Sequence, residues 1–352
     1  MRMQTIVFEK KPRILGTGTI AGPKECAGVV GKYVDKTLTD DTFGESTYEK
    51  AECKMLSFAV TKAIENAGLT EKDVDLLISG DLLNQIISAS FTARDFDMPF
   101  LGVYGACSTM AESMAVGAAF INAGYYKNIV AATGSHFSSA ERQYRYPLEL
   151  GCTRPPQAQW TVTGAGGALI SYMGGENCKN SGRNGGALAG KQTRRFTPAI
   201  TMATFGKVVD FGVTDVNNMG AAMCPSCAHT LLTHLEEAGR SADYYDLIVT
   251  GDLGALGSRI LKDLTWEKGV DIADNHVDCG EIIYNVIEDE FQGGSGAGCS
   301  AVVFNSYIMD KLKTGALNKV LFIATGALLS TVSSGQGESI PGIAHAVAIE
   351  NV

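Results

Sequence analysis

A cysteine at the start of an alanine-rich helix is the residue best placed for chemistry in this sequence. Cys107 stands in the run Tyr104-Gly-Ala-Cys-Ser-Thr-Met-Ala-Glu112, after a short apolar strand from Leu101 to Tyr104. The unpaired N–H groups of a helix N-terminus stabilise a thiolate and a neighbouring oxyanion. Cys107 is therefore the candidate nucleophile. The alternative is a small buried thiol packed at a tight turn, which is common for cysteine.

Three histidines are candidate ligand contacts or hydrogen-bond donors. His229 lies in Cys227-Ala-His-Thr230, which we predict to open a helix, so it either contacts a ligand or has a capping or packing role. His136 follows the predicted strand Ile129–Ala132 at the edge that carries Cys107, and a structural role fits it equally well. His345, near the C-terminus, could supply a late donor.

The remaining histidines and the cysteine pair carry weaker signals. His234 is predicted on a helix surface, and the position of His276 supports no assignment. Cys224 and Cys227 form one Cys-x-x-Cys with His229 beyond it, but no second pair completes a zinc site. We expect reduced, mostly buried thiols, and the sequence identifies no metal-ligand set.

Charged residues give further candidates for the site. Asp81 ends a predicted strand beside a helix start, where carboxylates commonly cap. Arg142, Arg145 and Arg154 follow His136, and their guanidinium groups could engage carboxylates bidentately unless they are simply exposed.

An internal duplication indicates which helices and strands position these residues. Val60–Leu82 and Leu231–Leu253 both read as helix, turn and strand, and they align without a gap, 171 residues apart (67 with 238, 81 with 252). Asp252 is thus the pseudo-symmetric mate of Asp81. Each helix stops at a glycine, Gly68 or Gly239, which enters the left-handed region freely.

A second correspondence follows at a different offset. Cys107-Ser108 matches Cys299-Ser300, and residues 132–134 match 324–326, both 192 residues apart. The second half therefore holds 21 additional residues between its Gly-Asp turn and its Gly-Cys-Ser turn. The segment there, from Gly254 to about Gly280 with Trp266 and His276, is predicted to cover the site.

The repeated unit predicts the architecture. Each half reads helix, strand, turn, helix, strand, which favours covered, largely parallel sheets. We predict a five-layer α/β/α/β/α fold from two halves, residues 1–175 with Cys107 and residues 176–352 with the late glycine-rich loop.

Composition excludes several classes of protein. Of the 352 residues 45% are hydrophobic and 19% charged, which predicts a chain folded throughout. A formal charge of −9 disfavours nonspecific nucleic-acid binding. No apolar stretch has the length of a signal peptide core or a spanning helix, so we expect a soluble, intracellular protein.

Several motifs together resemble thiolases and ketoacyl-ACP synthase III. They are the duplication, the Gly-Ala-Cys-Ser turn, Asn218-Met-Gly-Ala-Ala-Met before a helix, and the loop Gly293-Gly-Ser-Gly-Ala-Gly-Cys-Ser300. A narrower resemblance, over nearly the full chain, is to the stage V sporulation protein AD family. Three stretches carry it: Ser135-His-Phe-Ser-Ser-Ala-Glu-Arg-Gln-Tyr-Arg-Tyr-Pro-Leu-Glu149, Gln159-Trp-Thr-Val-Thr-Gly-Ala-Gly166 and Gly335-Gln-Gly-Glu-Ser-Ile-Pro-Gly342.

The resemblance implies a thiolase-like fold and binding of dipicolinic acid (pyridine-2,6-dicarboxylate). It also implies a role in uptake into the developing spore, with proteins of the same operon as partners at the forespore membrane. Calcium could accompany the ligand, and no other cofactor is expected. Thiolase-type halves usually pair across an edge strand, so we expect a C2 homodimer.

The candidate ligand contacts are Cys107, His229, Asp81, His136 and His345. In thiolases the segment that corresponds to His229 borders the pocket. Asp81 would meet a dicarboxylate only through a bridging cation or as a protonated acid.

Two positions of the chain indicate whether it retains the condensing chemistry of ketoacyl synthases. That chemistry needs two neutral donors beside the cysteine. Where ketoacyl synthases have a histidine after the strand Leu247–Thr250, this chain has Gly251-Asp252, and where they have an asparagine it has Gly293-Gly294. A carboxylate there would repel an oxyanion, which favours a noncatalytic binder. An acyltransferase or condensing enzyme with Cys107 as nucleophile, and a scaffold for membrane partners, remain alternatives.

Overall fold

Fourteen strands and eleven helices are formed by the residues that the computed structural model describes, which are 3–144, 154–172, 196–284 and 292–352. The strands, in chain order, are β1 Thr5–Val7, β2 Arg13–Ala21, β3 Lys36–Thr37, β4 Leu76–Gly80, β5 Phe100–Gly102, β6 Asn128–Ser135, β7 Trp160–Thr161, β8 Gly164–Ser171, β9 Ala199–Thr204, β10 Leu247–Thr250, β11 His276–Asp278, β12 Gly294–Ser295, β13 Lys319–Ala327 and β14 Gly342–Glu350. The helices are α1 Pro23–Cys26, α2 Tyr48–Asn66, α3 Ile87–Arg94, α4 Thr109–Ala123, α5 Phe137–Tyr144, α6 Met219–Ala238, α7 Gly254–Trp266, α8 Cys279–Ile283, α9 Ala297–Val303, α10 Met309–Thr314 and α11 Thr331–Gly335. A π-helical turn, Phe304–Ile308, joins α9 to α10. Across these ranges, no helix combines the length and the hydropathy that a membrane-spanning segment needs.

The strand order repeats in the two halves, which confirms the internal duplication. The main sheet of the described strands runs β11-β10-β13-β14-β9-β2-β8-β6-β4-β5. From its two ends inward, β5-β4-β6-β8-β2 corresponds to β11-β10-β13-β14-β9. In each set the first three strands are parallel and the fourth is antiparallel to both of its neighbours. The junction predicted near residue 175 lies outside the described residues.

Three apolar cores separate the layers of the molecule. The central core contains residues of both half-sheets together with α4 and α9, for example Met114 and Val302. A second core packs α2 and α3 on the first half-sheet, and a third packs α6 and α7 on the second. Each fully buried Leu, Ile or Val in these cores contributes about 2 kcal/mol. The result is the predicted α/β/α/β/α arrangement.

Glycine ends both duplicated helices, as the sequence predicts. Gly68 follows α2 with φ +72°, and Gly239 follows α6 with φ +62°. No atom within 4 Å would obstruct a Cβ at either position, so the left-handed backbone is the reason for glycine there.

Helix α6 begins earlier than the sequence suggested. The Asn218 side chain caps it by accepting from the Ala221 N–H at 3.3 Å. The helix continues through Pro225, whose missing N–H leaves the Ala221 carbonyl to accept from the Cys224 thiol at 3.6 Å. The prediction that His229 opens a helix is therefore wrong, because it lies in the interior of a 20-residue helix. Likewise, Asn218-Met-Gly-Ala-Ala-Met starts this helix rather than preceding it.

His234 is buried, so its predicted place on a helix surface is also wrong. Its Nδ1 lies 2.7 Å from the Thr204 hydroxyl and its Nε2 lies 2.6 Å from the Tyr245 hydroxyl. Desolvation lowers the pKa of His234 to about 4. The Leu-Thr-His-Leu pattern missed this role because only tertiary packing brings Thr204 and Tyr245 to the ring.

Candidate functional site

The Cys107 turn joins β5 to the central helix α4 through a strained backbone. Ala106 has φ +51°, an unusual value for a residue with a Cβ, and residues 106–108 form a 3-10 turn that runs into α4. The Ser108 hydroxyl donates to the Gly105 carbonyl and the Thr109 hydroxyl to the Ala106 carbonyl, each at 2.7 Å. These bonds hold the Cys107 side chain at the N-terminal end of α4.

Strand β13 of the second half lies directly beneath this turn. A Cβ at Gly326 would stand 2.2 Å from the Gly105 carbonyl oxygen, so only glycine permits the observed approach of the two backbones. Gly326 belongs to the segment that the duplication pairs with residues 132–134. The site is therefore built from both halves.

Asp252 is the residue of the second half that meets the cysteine. Its fully buried carboxylate accepts a hydrogen bond from the Cys107 thiol, and it accepts from the Gly296 N–H and the Thr325 hydroxyl at 2.8 Å each. Burial raises the pKa of Asp252 to about 6, although these donors act in the opposite direction. The position predicted to hold a carboxylate instead of a neutral donor thus lies beside the thiol.

A second buried carboxylate, that of Asp278, holds the loop that carries Asp252. Its two oxygens accept from the Thr250 hydroxyl at 2.6 Å and from the N–H groups of Leu253, Gly254 and Gly280 at 2.9 Å. Burial, with the negative charge of Asp252 as a smaller cause, raises the pKa of Asp278 to about 7. Sequence reasoning missed this residue, although it lies in the inserted segment.

The inserted segment supports the site from behind and does not cover it. It forms α7, which packs against α6, and β11, which extends the sheet beside β10. Trp266 is 67% exposed, and His276 is buried with its Nε2 2.9 Å from the Thr250 hydroxyl. The prediction of a cover is wrong because most of this segment forms a helix and an edge strand, α7 and β11, which occupy the places that α3 and β5 hold in the first half.

Cys107 opens into a cavity with about 470 Å³ of empty space, a volume that includes open solvent at its mouth. Its wall is mostly apolar, with hydroxyls and one thiol as the polar groups, and no Lys, Arg or His is among the described residues that line it. The two tyrosine hydroxyls, of Tyr104 and Tyr144, lie 3.4 Å apart. The lining residues are Leu82, Tyr104, Ala106, Cys107, Ala140, Tyr144, Thr161, Met219, Met223, Ser295, Ala327 and Leu329.

Two of the three candidate arginines are engaged in ion pairs. Arg154 binds Glu141 at 2.8 Å, and Glu141 also accepts from the hydroxyl of Thr161, which lines the cavity. Arg142 pairs with Glu49 at the surface. Arg145 lies outside the described residues. The Arg154 charge is therefore compensated before it could reach a ligand in the cavity.

None of the candidate histidines is among the residues that line the cavity. His136 is buried, with its Nε2 2.6 Å from the Asp41 carbonyl and its Nδ1 accepting from the Ser138 N–H. His345 lies on β14 and accepts from the Gly206 N–H at 3.3 Å, and burial lowers its pKa to about 4.

His229 is only partly buried, but its Nδ1 is enclosed and has no hydrogen-bond partner. Burial and the Lys207 charge lower its pKa.

Asp81 has a capping position, in line with the simpler of its two predicted roles. Its buried carboxylate accepts from the N–H groups of Leu83 and Ala89 at 2.7 Å each, which fixes the entry into α3. Burial raises its pKa to about 6. Asp81 and Asp252 thus occupy equivalent places in the two halves, but only Asp252 contacts Cys107.

Glu112 is a further carboxyl group that sequence reasoning did not single out. It stands in the first turn of α4, and its Oε2 lies against Gly105, where it has no hydrogen-bond partner. Burial raises the pKa of Glu112 to about 7.

The described cavity residues do not include the donor pair that condensing chemistry needs beside a cysteine. The thiol donates to a carboxylate, and the cavity wall offers neutral hydroxyls where condensing chemistry needs histidine or asparagine donors. Within the described ranges, no group of three His, Cys, Asp or Glu residues could hold a metal ion. No disulfide links the described cysteines.

Comparisons with known proteins agree with this fold. Residues 2–350 match the family described as stage V sporulation protein AD. Stage V sporulation protein AD of Bacillus subtilis (strain 168) is 44% identical over 347 residues, which cover 99% of this chain and 96% of that protein.

Solved structures share this fold at low sequence identity. The 3-oxoacyl-[acyl-carrier-protein] synthase III of Aquifex aeolicus VF5 is 14% identical, with a TM-score of 0.56 over 96% of this chain and 99% of that chain. A variant of Xanthomonas campestris OleA is 13% identical, with a TM-score of 0.60 over 98% and 99%. At these identities the likeness shows the fold alone, and it confirms the predicted thiolase-like architecture.

Proposed function

Because the chain belongs to the stage V sporulation protein AD family, we propose that it is a noncatalytic protein that binds dipicolinic acid in the Cys107 cavity. In this proposal it supports uptake of that ligand into the developing spore. The observation that carries the noncatalytic part is the hydrogen bond from the Cys107 thiol to the buried Asp252 carboxylate. An ionised carboxylate repels a thiolate and an oxyanion alike, so the pair opposes the charges that acyl transfer must develop.

The cavity suits a flat aromatic ring with polar ends. Tyr104, Tyr144, Met219 and Met223 offer aromatic and thioether surface to the faces of a pyridine ring. The hydroxyl of Tyr104 can donate to a carboxylate oxygen of the ligand, whereas the hydroxyls of Thr161, Ser295 and Tyr144 already donate to Glu141, Asp252 and the Leu82 carbonyl. In this proposal neutral groups hold the ligand beside Cys107, and the ligand forms no covalent bond with the thiol.

Calorimetric titration with dipicolinic acid, with and without calcium, tests the proposal. We expect saturable binding, and its absence under both conditions would refute the proposal. Cys107→Trp is the matched blocking variant, because an indole would fill the cavity, whereas Cys107→Ser keeps nearly the same size and should retain much of the affinity. Calcium is included because a chelated cation would compensate the ligand charge that the cavity wall leaves uncompensated.

Uptake needs partners, and we place these among the other proteins of the stage V sporulation A operon at the forespore membrane, where this chain would act as a peripheral homodimer. Spores that carry Cys107→Trp at a normal protein level should lack dipicolinic acid. If such spores contain normal amounts of it, a scaffold role without ligand binding is the better account.

An acyltransferase or condensing enzyme is the second candidate, favoured by the position of Cys107 at the N-terminus of α4. Incubation with acyl-CoA followed by intact-mass measurement decides between the two. An adduct that disappears in Cys107→Ala would establish the enzyme, and the unmodified mass is the result we expect.

A further inference from the structure

Negative charge is concentrated behind one wall of the cavity and is not balanced there. Cys107 and Ser295 both line the cavity, and both donate to Asp252 from the cavity side. Asp252 itself is fully buried and lies close enough to Asp278 for each charge to be felt by the other. None of the described ion pairs includes Asp252, and no described lining residue is cationic.

The other titratable groups that face Asp252 do not compensate this charge. They are the thiols of Cys107, Cys279 and Cys299 and the carboxyl group of Asp278, which Glu281 faces in turn. Burial raises the pKa of Cys279 and of Cys299 well above the usual range, so both thiols stay neutral. Arg154 is paired with Glu141, which also accepts from the hydroxyl of Thr161 at the cavity wall.

We propose that Asp252 determines the charge that this cavity accepts: ionised, it opposes an anionic ligand beside Cys107, and protonated, it lets the same ligand bind more tightly. The inference rests on the proposed binding function and adds to it a specificity-determining residue. Asp252 acts through the Cys107 thiol and the Ser295 hydroxyl. Those groups turn toward the carboxylate while it is charged and become available to the ligand once it carries a proton.

Asp252 and its neighbour Asp278 take up protons in a pH range in which binding can be measured. Burial raises the pKa of Asp252 to about 6 and that of Asp278 to about 7. A dicarboxylate ligand is fully ionised above about pH 5.5, so its own charge stays constant while the pair titrates. A unit charge about 10 Å away at an effective dielectric constant of about 20 changes affinity on the order of tenfold.

The test is calorimetric titration of the full chain with dipicolinic acid in calcium-free buffer from about pH 5.5 to 8. The dissociation constant of the native protein should rise on the order of tenfold across this range. Asp252→Asn, which cannot ionise, should bind at pH 8 as tightly as the native protein binds at pH 5.5. A pH-independent affinity of the native protein, or an unchanged slope in Asp252→Asn, would overturn the inference.

Matched controls separate Asp252 from the other acids. Asp81→Asn changes the pseudo-symmetric carboxylate, which is equally buried but does not contact Cys107, so it should keep the native pH slope. Glu267→Gln should also keep it, since Glu267 is exposed and its charge is screened by solvent. If the affinity of either control variant no longer changed with pH while that of Asp252→Asn still did, the effect would belong to another acid. That outcome would overturn the inference.

An uncharged ligand keeps the test decisive if Asp252→Asn does not fold. Pyridine-2,6-dicarboxamide has the same ring without the charge, so its affinity for the native protein should not change with pH. An equal slope for the diamide and the diacid would contradict a charge effect. Failure of dipicolinic acid to bind at any pH, with or without calcium, would instead refute the proposed function and this inference with it. Binding with a flat profile would refute the inference alone.

Discussion

Glu112 offers a direct test of the electrostatics beneath the Cys107 turn. Its half-buried carboxyl group lies against Gly105, with Oε2 enclosed and without a hydrogen-bond partner. Burial raises its pKa from 4.5 to about 7. For an acid whose folded-state pKa is raised, the stability contribution is complete below about pH 4.5 and is lost as the pH rises through about 7. Ionisation of Glu112 should therefore destabilise the native protein at alkaline pH.

The size of this destabilisation follows from the rise in the pKa of Glu112. A rise in pKa from 4.5 to about 7 corresponds to about 3 kcal/mol, and we use about 2 kcal/mol because part of the side chain reaches solvent. Glutamine has nearly the same shape and cannot ionise. Glu112→Gln should thus match the native stability near pH 4.5 and exceed it by about 2 kcal/mol near pH 8.

Urea unfolding followed by circular dichroism at both pH values measures this difference. The exposed Glu267, changed to Gln, serves as the control and should shift stability by less than about 0.5 kcal/mol at either pH. A Glu112→Gln variant that is less stable than the native protein at pH 8 would show that the carboxylate has a favourable partner, and the burial argument would then be incorrect.

Four further predictions concern the turn, the backbone contact beneath it, the cysteine and the assembly. Ala106→Gly should stabilise the protein by up to about 1 kcal/mol in thermal unfolding, because glycine adopts φ +51° without a Cβ penalty; a destabilised variant would argue against strain at this residue. Gly326→Ala should cost about 1–3 kcal/mol and weaken ligand binding, because its Cβ would meet the Gly105 carbonyl at 2.2 Å, whereas Gly335→Ala, with no atom within 4 Å, should be neutral. Cys107→Ala should lose about 1–2 kcal/mol of binding in calorimetry and Cys107→Ser less, and a complete loss with Ser would favour an essential thiol. Sedimentation at micromolar concentration should give a dimer through pairing of an edge strand such as β5, and a monomer would refute that.

The local sequence determined the elements and their repetition. The two offsets, 171 and 192, align β4 with β10 and β6 with β13, and these strands hold equivalent places in the two half-sheets. Glycine stops and continuous apolar runs are signals of short range, so Gly68, Gly239 and the buried strands could be read without knowledge of the fold. The cysteine turn before α4 was predictable for the same reason.

Only the tertiary structure decided which polar residues meet. Asp252 contacts Cys107 and Asp81 does not, although the duplication makes the two aspartates equivalent. His234 has the local pattern of an exposed residue but is buried against Tyr245. Tyr104 and Tyr144 are brought together at the cavity from positions 40 residues apart. Such contacts depend on how layers pack and how closely backbones approach, as at Gly326, and no short-range periodicity in the sequence encodes them.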